Sequence, residues 1–291
     1  MLPPRGLVAG PPLAWQSSLL AGTRRCLLER RRIDAYMPYA RIGELDMYYE
    51  EVGDANAPPL VLLHGAGGTI DDPIGGWAGL APSFAERHRV VSVEHRGHGR
   101  TNNPDGCMTF EQIGEDIARL VTQLGLGTVH IAGISDGGVV ALDCALRHPK
   151  LTHTITVLGG NYTTNDDIRA IAVSMDPDAI EQAAPEAAAE FGRRHDQGKK
   201  PGAWKDLMRQ IIDNNTKNPS WTEDDLRLIS CPTLLVAGEN DPFATLDQMA
   251  TMKRSIPGAE WLIVNNSGHP VHFEHPEIIG PRLLDFFDRN A

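Results

Sequence analysis

Between Val129 and Leu142 the chain changes character within a few residues. Val129-His130-Ile131-Ala132 is a strand-like run. Val139-Val140-Ala141-Leu142 begins an apolar, Ala-rich helical pattern. Gly133-Ile134-Ser135-Asp136-Gly137 joins them. Strand, sharp turn and helix in that order hold the apical serine in a strained backbone conformation. The positions two before and two after it approach too closely to carry a Cβ, and both are glycine. Such a turn lifts the Ser135 hydroxyl off the end of a sheet, while the new helix aims unpaired N–H groups at the same point.

The rest of the sequence narrows what that serine can serve. A chain of 291 residues can bury one large core. Its net charge of −11 disfavours nucleic acid or an anionic membrane as a partner, since phosphate binding needs a basic face. No apolar run approaches the roughly 18 residues of a membrane span. Cys26, Cys107, Cys144 and Cys231 are scattered, without a Cys-x-x-Cys pair. They read as isolated buried thiols of a reducing compartment, which points to the cytoplasm.

Residues 1–36 differ from the remainder, with Arg5, Arg24, Arg25, Arg30, Arg31 and Arg32 against Glu29 and Asp34. The order of basic and apolar residues fits neither a Sec nor a twin-arginine signal. The stretch is read as a disordered extension, with an organellar transit peptide as the rival, and 37–291 as the folded domain.

Within that domain, Ala40-Arg41-Ile42 and Met47–Val52 suggest an opening hairpin. Leu60–Leu63, Val90–Val93, Thr152–Leu158, Thr233–Ala237 and Trp261–Val264 read as strands, the most apolar of them buried on both faces. Apolar spacing places helices over 109–124, with Thr109 as cap, and over 246–255 and 276–288. Strand-like runs vanish over about 161–230, where Ala, Asp, Glu and Gln dominate segments such as Asp178–Phe191 and Trp204–Asp213; this stretch reads as a small helical cap inserted before the strand at 233. Strands alternating with helices imply a mostly parallel, twisted α/β sheet flanked by helices.

The Ser135 turn resembles the nucleophile elbow of the α/β-hydrolase superfamily, which the motif in general exemplifies. The resemblance extends over nearly everything from Tyr39 onward. His64-Gly65-Ala66-Gly67-Gly68 is similar to that family's His-Gly loop. Glu94-His95-Arg96-Gly97-His98-Gly99-Arg100-Thr101 resembles its Asp-x-Arg-Gly-x-Gly-x-Ser segment, with Glu94 and Thr101 as substitutions and Arg96 expected to brace the core. The family's Gly-x-x-Asp pattern falls on Gly238–Asp241, and its Gly-His pair on Gly268-His269. The resemblance therefore implies Ser135 as nucleophile, His269 as general base and acid, and Asp241 as the acid orienting it. It implies backbone N–H groups of Asp136 and Ala66 as the oxyanion hole, with Gly67 the donor if the register is off by one.

Rivals exist for each role. Glu239 competes with Asp241, and His272 with His269. His269, His272 and His275 recur every third residue, but metal-binding histidines of the zincin type lie four apart on one helical face beside further ligands. Pro270 and Pro276 mark this stretch as a loop, so no metal is expected, and no cofactor. The apolar cap residues Ile168, Ile171, Phe191, Trp204, Leu207, Met208 and Trp221 read as packing rather than substrate contacts.

The expected activity is hydrolysis of a small-molecule carboxylic ester through an acyl-enzyme. A lactonase, a cofactor-free perhydrolase and a slow-turnover ligand receptor remain alternatives on the same fold. Asp136 carries two readings. An acid in the first helical turn complements the helix dipole. The Ser-Asp-Gly-Gly elbow also looks like valacyclovirase-type amino-acid ester hydrolases, which implies that Asp136 holds a substrate ammonium.

Overall fold

The β-branched and leucine-rich runs assemble into one eight-stranded sheet in a computed structural model that describes residues 39–291. The Arg-rich stretch 1–36 lies outside the described residues. The strands are β1 (Tyr39–Ile42), β2 (Leu45–Val52), β3 (Pro59–Leu63), β4 (Arg89–Val93), β5 (Val129–Ile134), β6 (Thr152–Leu158), β7 (Thr233–Gly238) and β8 (Glu260–Val264). Their order is β1-β2-β4-β3-β5-β6-β7-β8. β1 and β2 form the expected hairpin, β2 runs antiparallel to β4, and every later pairing is parallel.

Strand β3 pairs with β4 on one side and β5 on the other, so the winding reverses there. In open α/β sheets the crevice for ligand opens at the carboxyl ends of strands at such a reversal. The loops leaving β3 and β5 begin at His64 and Ser135, which places both motifs at that mouth.

Alternate strand residues enter two separate cores. Val61, Leu63, Val91, Ile131, Val157 and Leu235 face one layer, packed by helices α2 (Phe110–Gln123), α3 (Asp136–Arg147) and α9 (Leu246–Ser255). Leu60, Leu62, Val90, Ala132, Leu158 and Leu234 face the other, packed by α1 (Ala81–Phe84) and α11 (Pro276–Arg289). Burial on both faces explains why these strands read as continuous apolar runs instead of alternating ones. Thr109 caps α2 by accepting from the Gln112 N–H at 3.1 Å.

Between β6 and β7 the chain forms α4 (Asp166–Ser174), α5 (Pro177–Ala183), α6 (Pro185–His195), α7 (Ala203–Lys217) and α8 (Glu223–Leu226). The Ala-rich segment 178–191 is divided between α5 and α6. Pro185 has no N–H to continue α5, and it forces Ala184 out of the helical region to φ −144, ψ 67. The stretch after His269 is not all loop, because Val271–Glu274 forms a one-turn helix, α10, between its prolines. Of the cap's apolar residues, Trp204, Leu207 and Met208 join the core, and Phe191 and Trp221 pack against it. Contrary to the expectation of buried thiols, Cys107 is exposed, on the exposed stretch 104–107, and Cys231 is half-buried; Cys144 is buried as expected. Among the described residues no helix is long and apolar enough to cross a membrane.

Candidate active site

Ser135 sits at φ 53, ψ −120, a left-handed backbone that few residues with a side chain adopt. Its neighbours make the turn sterically possible. A Cβ on Gly133 would stand 2.0 Å from the Gly137 carbonyl oxygen, and one on Gly137 would stand 2.5 Å from the Leu63 carbonyl oxygen. The Ser135 carbonyl accepts from the Gly138 and Val139 N–H groups, which starts α3 directly behind the hydroxyl.

The hydroxyl oxygen lies 2.9 Å from His269 Nε2, and His269 Nδ1 lies 2.8 Å from Asp241 Oδ2. An ionised carboxylate only accepts, so the ring carries its proton on Nδ1 and leaves Nε2 basic toward Ser135. Asp241 arrives on the turn after β7, with its side chain fully buried. Its other oxygen accepts from the Phe243 and Ala244 N–H groups at 2.8 and 3.0 Å. Burial alone would raise its pKa, but the His269 charge and these N–H donors hold it below the usual carboxylate range. For His269 burial opposes charge. Asp241, followed by Asp136 and Glu274, outweighs it and raises the imidazole above its ordinary value.

The rivals fall elsewhere. Glu239 is exposed and accepts from the Asn266 N–H at 3.0 Å. His272 is buried with its ring 5.8 Å from Trp77, and burial lowers its pKa to about 4. Arg96 forms a two-pronged ion pair with buried Asp116, at 2.7 and 3.0 Å. Glu94, in place of the shorter Asp, fits because Gly99 has no Cβ, which would otherwise lie 2.3 Å from its carboxylate.

The loop after β3 runs against the elbow, since a Cβ on Gly65 would come within 3.1 Å of Ser135 Cβ. Most of its backbone donors are occupied. Gly65 N–H donates to the Gly75 carbonyl, Gly68 N–H to the Gly65 carbonyl, and Gly67 N–H to His98 Nε2 at 3.3 Å. Among the described residues Ala66 N–H has no such acceptor, nor does Asp136 N–H at the start of α3. The Asp136 carboxylate turns toward α7, where Asn215 donates to both of its oxygens at 3.1 and 3.3 Å. Burial lifts its pKa to about 6, against the Asn215 hydrogen bond and the His269 charge.

Ser135, His269 and Asp241 thus form one hydrogen-bonded series of hydroxyl, imidazole and carboxylate beside N–H groups that no acceptor occupies, an arrangement compatible with acyl transfer. The model of the alpha/beta hydrolase family matches residues 60–279, which include all of these groups. The chain belongs to the α/β-hydrolase family. RutD of Azorhizobium caulinodans, provisionally named a carbamate hydrolase, is 26% identical over 269 residues, covering 86% of this chain and 98% of that one. Carboxylesterase YbfK of Bacillus subtilis is 27% identical over 254 residues, covering 80% and 81%. The enol-lactonase structure from Burkholderia xenovorans LB400 superposes with a TM-score of 0.69 at 21% identity, covering 86% of this chain and all of that one, a likeness of fold.

Several contacts of this α/β hydrolase's site were not legible as motifs. Asn215 reaches Asp136 from 79 residues away. Gly159, at φ 63, leaves room for the His269 ring, which its Cβ would meet at 3.0 Å. Glu274 accepts from Ser267 Oγ at 2.5 Å and from the Gly268 N–H at 2.8 Å, pinning the loop that carries His269.

Proposed function

We propose that this protein is a serine hydrolase that cleaves a small-molecule carboxylic ester through an acyl-enzyme, with α4–α8 as a cap over the site. The observation that carries this reading is the series Asp241, His269, Ser135, closed at 2.8 and 2.9 Å. Ser135 Oγ attacks the ester carbonyl carbon as His269 Nε2 takes its proton, and the carbonyl π electrons move onto oxygen. The N–H groups of Ala66 and Asp136 face the resulting oxyanion. On collapse the carbon–alkoxide bond breaks, and His269 returns the proton to the departing oxygen. Water then repeats the sequence on the acyl-enzyme, releasing the acid and restoring Ser135.

Amino-acid esters are the preferred subset in this reading. Asp136 lies one residue from the nucleophile. Its carboxylate is held by the neutral Asn215 amide, and no Lys or Arg among the described residues pairs with it. A carboxylate whose pKa burial has lifted gains from a cation brought by the substrate. The carbamate and carboxylic ester names of RutD and YbfK support a carbonyl substrate of this kind.

The test is a panel of plain esters, amino esters, lactones and carbamates, each quenched early for mass spectrometry of the intact chain. The expected result is an added acyl mass on the peptide containing Ser135, with amino esters turned over fastest. Turnover without an adduct, or an adduct on another residue, would contradict it.

A further inference from the structure

His195 closes α6 and bridges two loops of the sheet domain. Its Nδ1 accepts from the Gly99 N–H at 2.9 Å, and its Nε2 donates to the Gly67 carbonyl at 3.0 Å. The ring is 1% exposed, so no water competes for either bond. One neutral tautomer satisfies both partners, because the nitrogen that accepts from Gly99 leaves the proton on the other. His98 works from the opposite side of the same glycine. Its Nε2 accepts from the Gly67 N–H, its Nδ1 donates to the Arg96 carbonyl at 3.1 Å, and its ring lies 5.8 Å from that of His195. Gly67 is thus held at both its N–H and its C=O, and it has the left-handed φ of 61 that a tight loop needs. The residue before it is Ala66, whose free N–H points at the oxyanion in the mechanism above.

We infer that His195 is a positioning residue that carries the docking of the cap into the geometry of the Ala66 oxyanion donor. The inference rests on the proposed acyl-transfer role of this site. A side chain on the cap fixes the carbonyl of Gly67; the same Gly67–Gly68 peptide donates its N–H to the Gly65 carbonyl at 3.0 Å, and the Gly65–Ala66 peptide so held carries the Ala66 N–H. A displacement of about 1 Å in such a donor is enough to cost on the order of a hundredfold in rate. Burial lowers the pKa of His195 to about 3 and drives those of His64, His95 and His98 down as well. The charges of Lys199 and Arg194 oppose its protonation further. The bridge therefore keeps its tautomer across the working range of a neutral imidazole base.

Two substitutions separate the two bonds. The amide of His195→Gln reaches as far as Nε2 and keeps a donor for the Gly67 carbonyl. The shorter amide of His195→Asn keeps an acceptor near Nδ1 for Gly99 and loses the bond to Gly67. Rates in full-length protein are taken per site titrated with a fluorophosphonate, so a partly unfolded sample does not mimic a catalytic defect. The expected result is a kcat about tenfold or more lower in His195→Asn, with KM little changed. Affinity for a boronic acid that forms a tetrahedral adduct on Ser135 should fall in parallel, and His195→Gln should recover most of both. Wild-type kcat and boronic acid affinity per titrated site in His195→Asn, with a lowered Tm, would overturn the inference and leave His195 a packing residue. Should neither variant fold, the wild-type protein decides: the His195 Nε2–H resonance should shift when the boronic acid binds, and an unmoved resonance overturns the inference. Loss of the Ser135 adduct itself would strike the site reading instead, which keeps the two failures distinct.

Discussion

Gly159 and His269 are matched by what the glycine lacks. A Cβ at Gly159 would lie 3.0 Å from two atoms of the His269 ring and 3.1 Å from Asp241 Oδ2, while the backbone holds φ 63. The Gly159 N–H is fixed on the Val236 carbonyl at 2.8 Å, so the segment cannot retreat without breaking its tie to β7. Gly159→Ala should therefore move the imidazole, with kcat falling about a hundredfold and Tm falling with it, since alanine in a left-handed conformation costs about 1 kcal/mol or more. Steady-state kinetics with a melting curve checks this. A variant with wild-type kcat would show that the ring has slack there.

In the proposed mechanism the His269 imidazole must be neutral to accept the Ser135 proton; burial works against its charge, but Asp241, Asp136 and Glu274 raise its pKa. In a pH profile kcat/KM should fall as pH drops through a value above the ordinary 6.5 of histidine. Asp241→Asn removes the largest of the raising influences and the acceptor that fixes the tautomer. Its kcat should drop by about 10³–10⁴ and its acid limb should move to lower pH. An acid limb unmoved by that change would contradict the assignment of the limb to His269.

Glu274 acts on the same ring through the loop, holding Ser267 and Gly268 by one carboxylate oxygen. Glu274→Gln keeps the size and removes the charge. The expected outcome is a kcat about threefold to tenfold lower, with the acid limb shifted down, in the direction that loss of a nearby negative charge dictates. The pH profile distinguishes this from simple loosening of the loop, which would lower kcat at every pH without moving the limb.

Asp136 has a folded-state pKa of about 6, raised above its ordinary 3.8 by burial. A group that binds its proton more tightly when folded is no burden below the unfolded pKa. It becomes destabilising as pH rises through the window between the two values, and stays so above about 6. Asp136→Asn should thus raise Tm by a few degrees at pH 7.5, with the difference shrinking toward zero near pH 4. The same variant should lose far more activity on amino esters than on p-nitrophenyl esters. Equal losses would leave Asp136 only its complementarity to the α3 dipole.

Much of this could be read from the chain because local rules set it. The strand at Val129–Ile134, the glycines flanking Ser135 and the apolar runs of the parallel strands each state their conformation within a few residues. Asp241 and His269 followed from motif order. The departures arose where that locality fails. Within the cap, composition marked helix-forming segments but not their ends, which Pro185 sets between α5 and α6. Asn215, Gly159 and His195 carry no motif, because their partners Asp136, His269 and Gly67 lie 79, 110 and 128 residues away. Only the folded sheet, with its reversal at β3, brings them to one mouth. The preference for Ala66 over Gly67 as donor in the proposed mechanism likewise rests on a distant contact, the Gly67 N–H being taken up by His98.

The most direct measurement is the turnover of Ser135→Ala on the best ester of the panel, beside its labelling by a fluorophosphonate. The account predicts a folded protein with wild-type Tm to within a few degrees, kcat lower by about 10³ or more, and no label. A variant that keeps its rate to within about tenfold, or still takes the label, would contradict the claim that the Ser135 hydroxyl is the nucleophile.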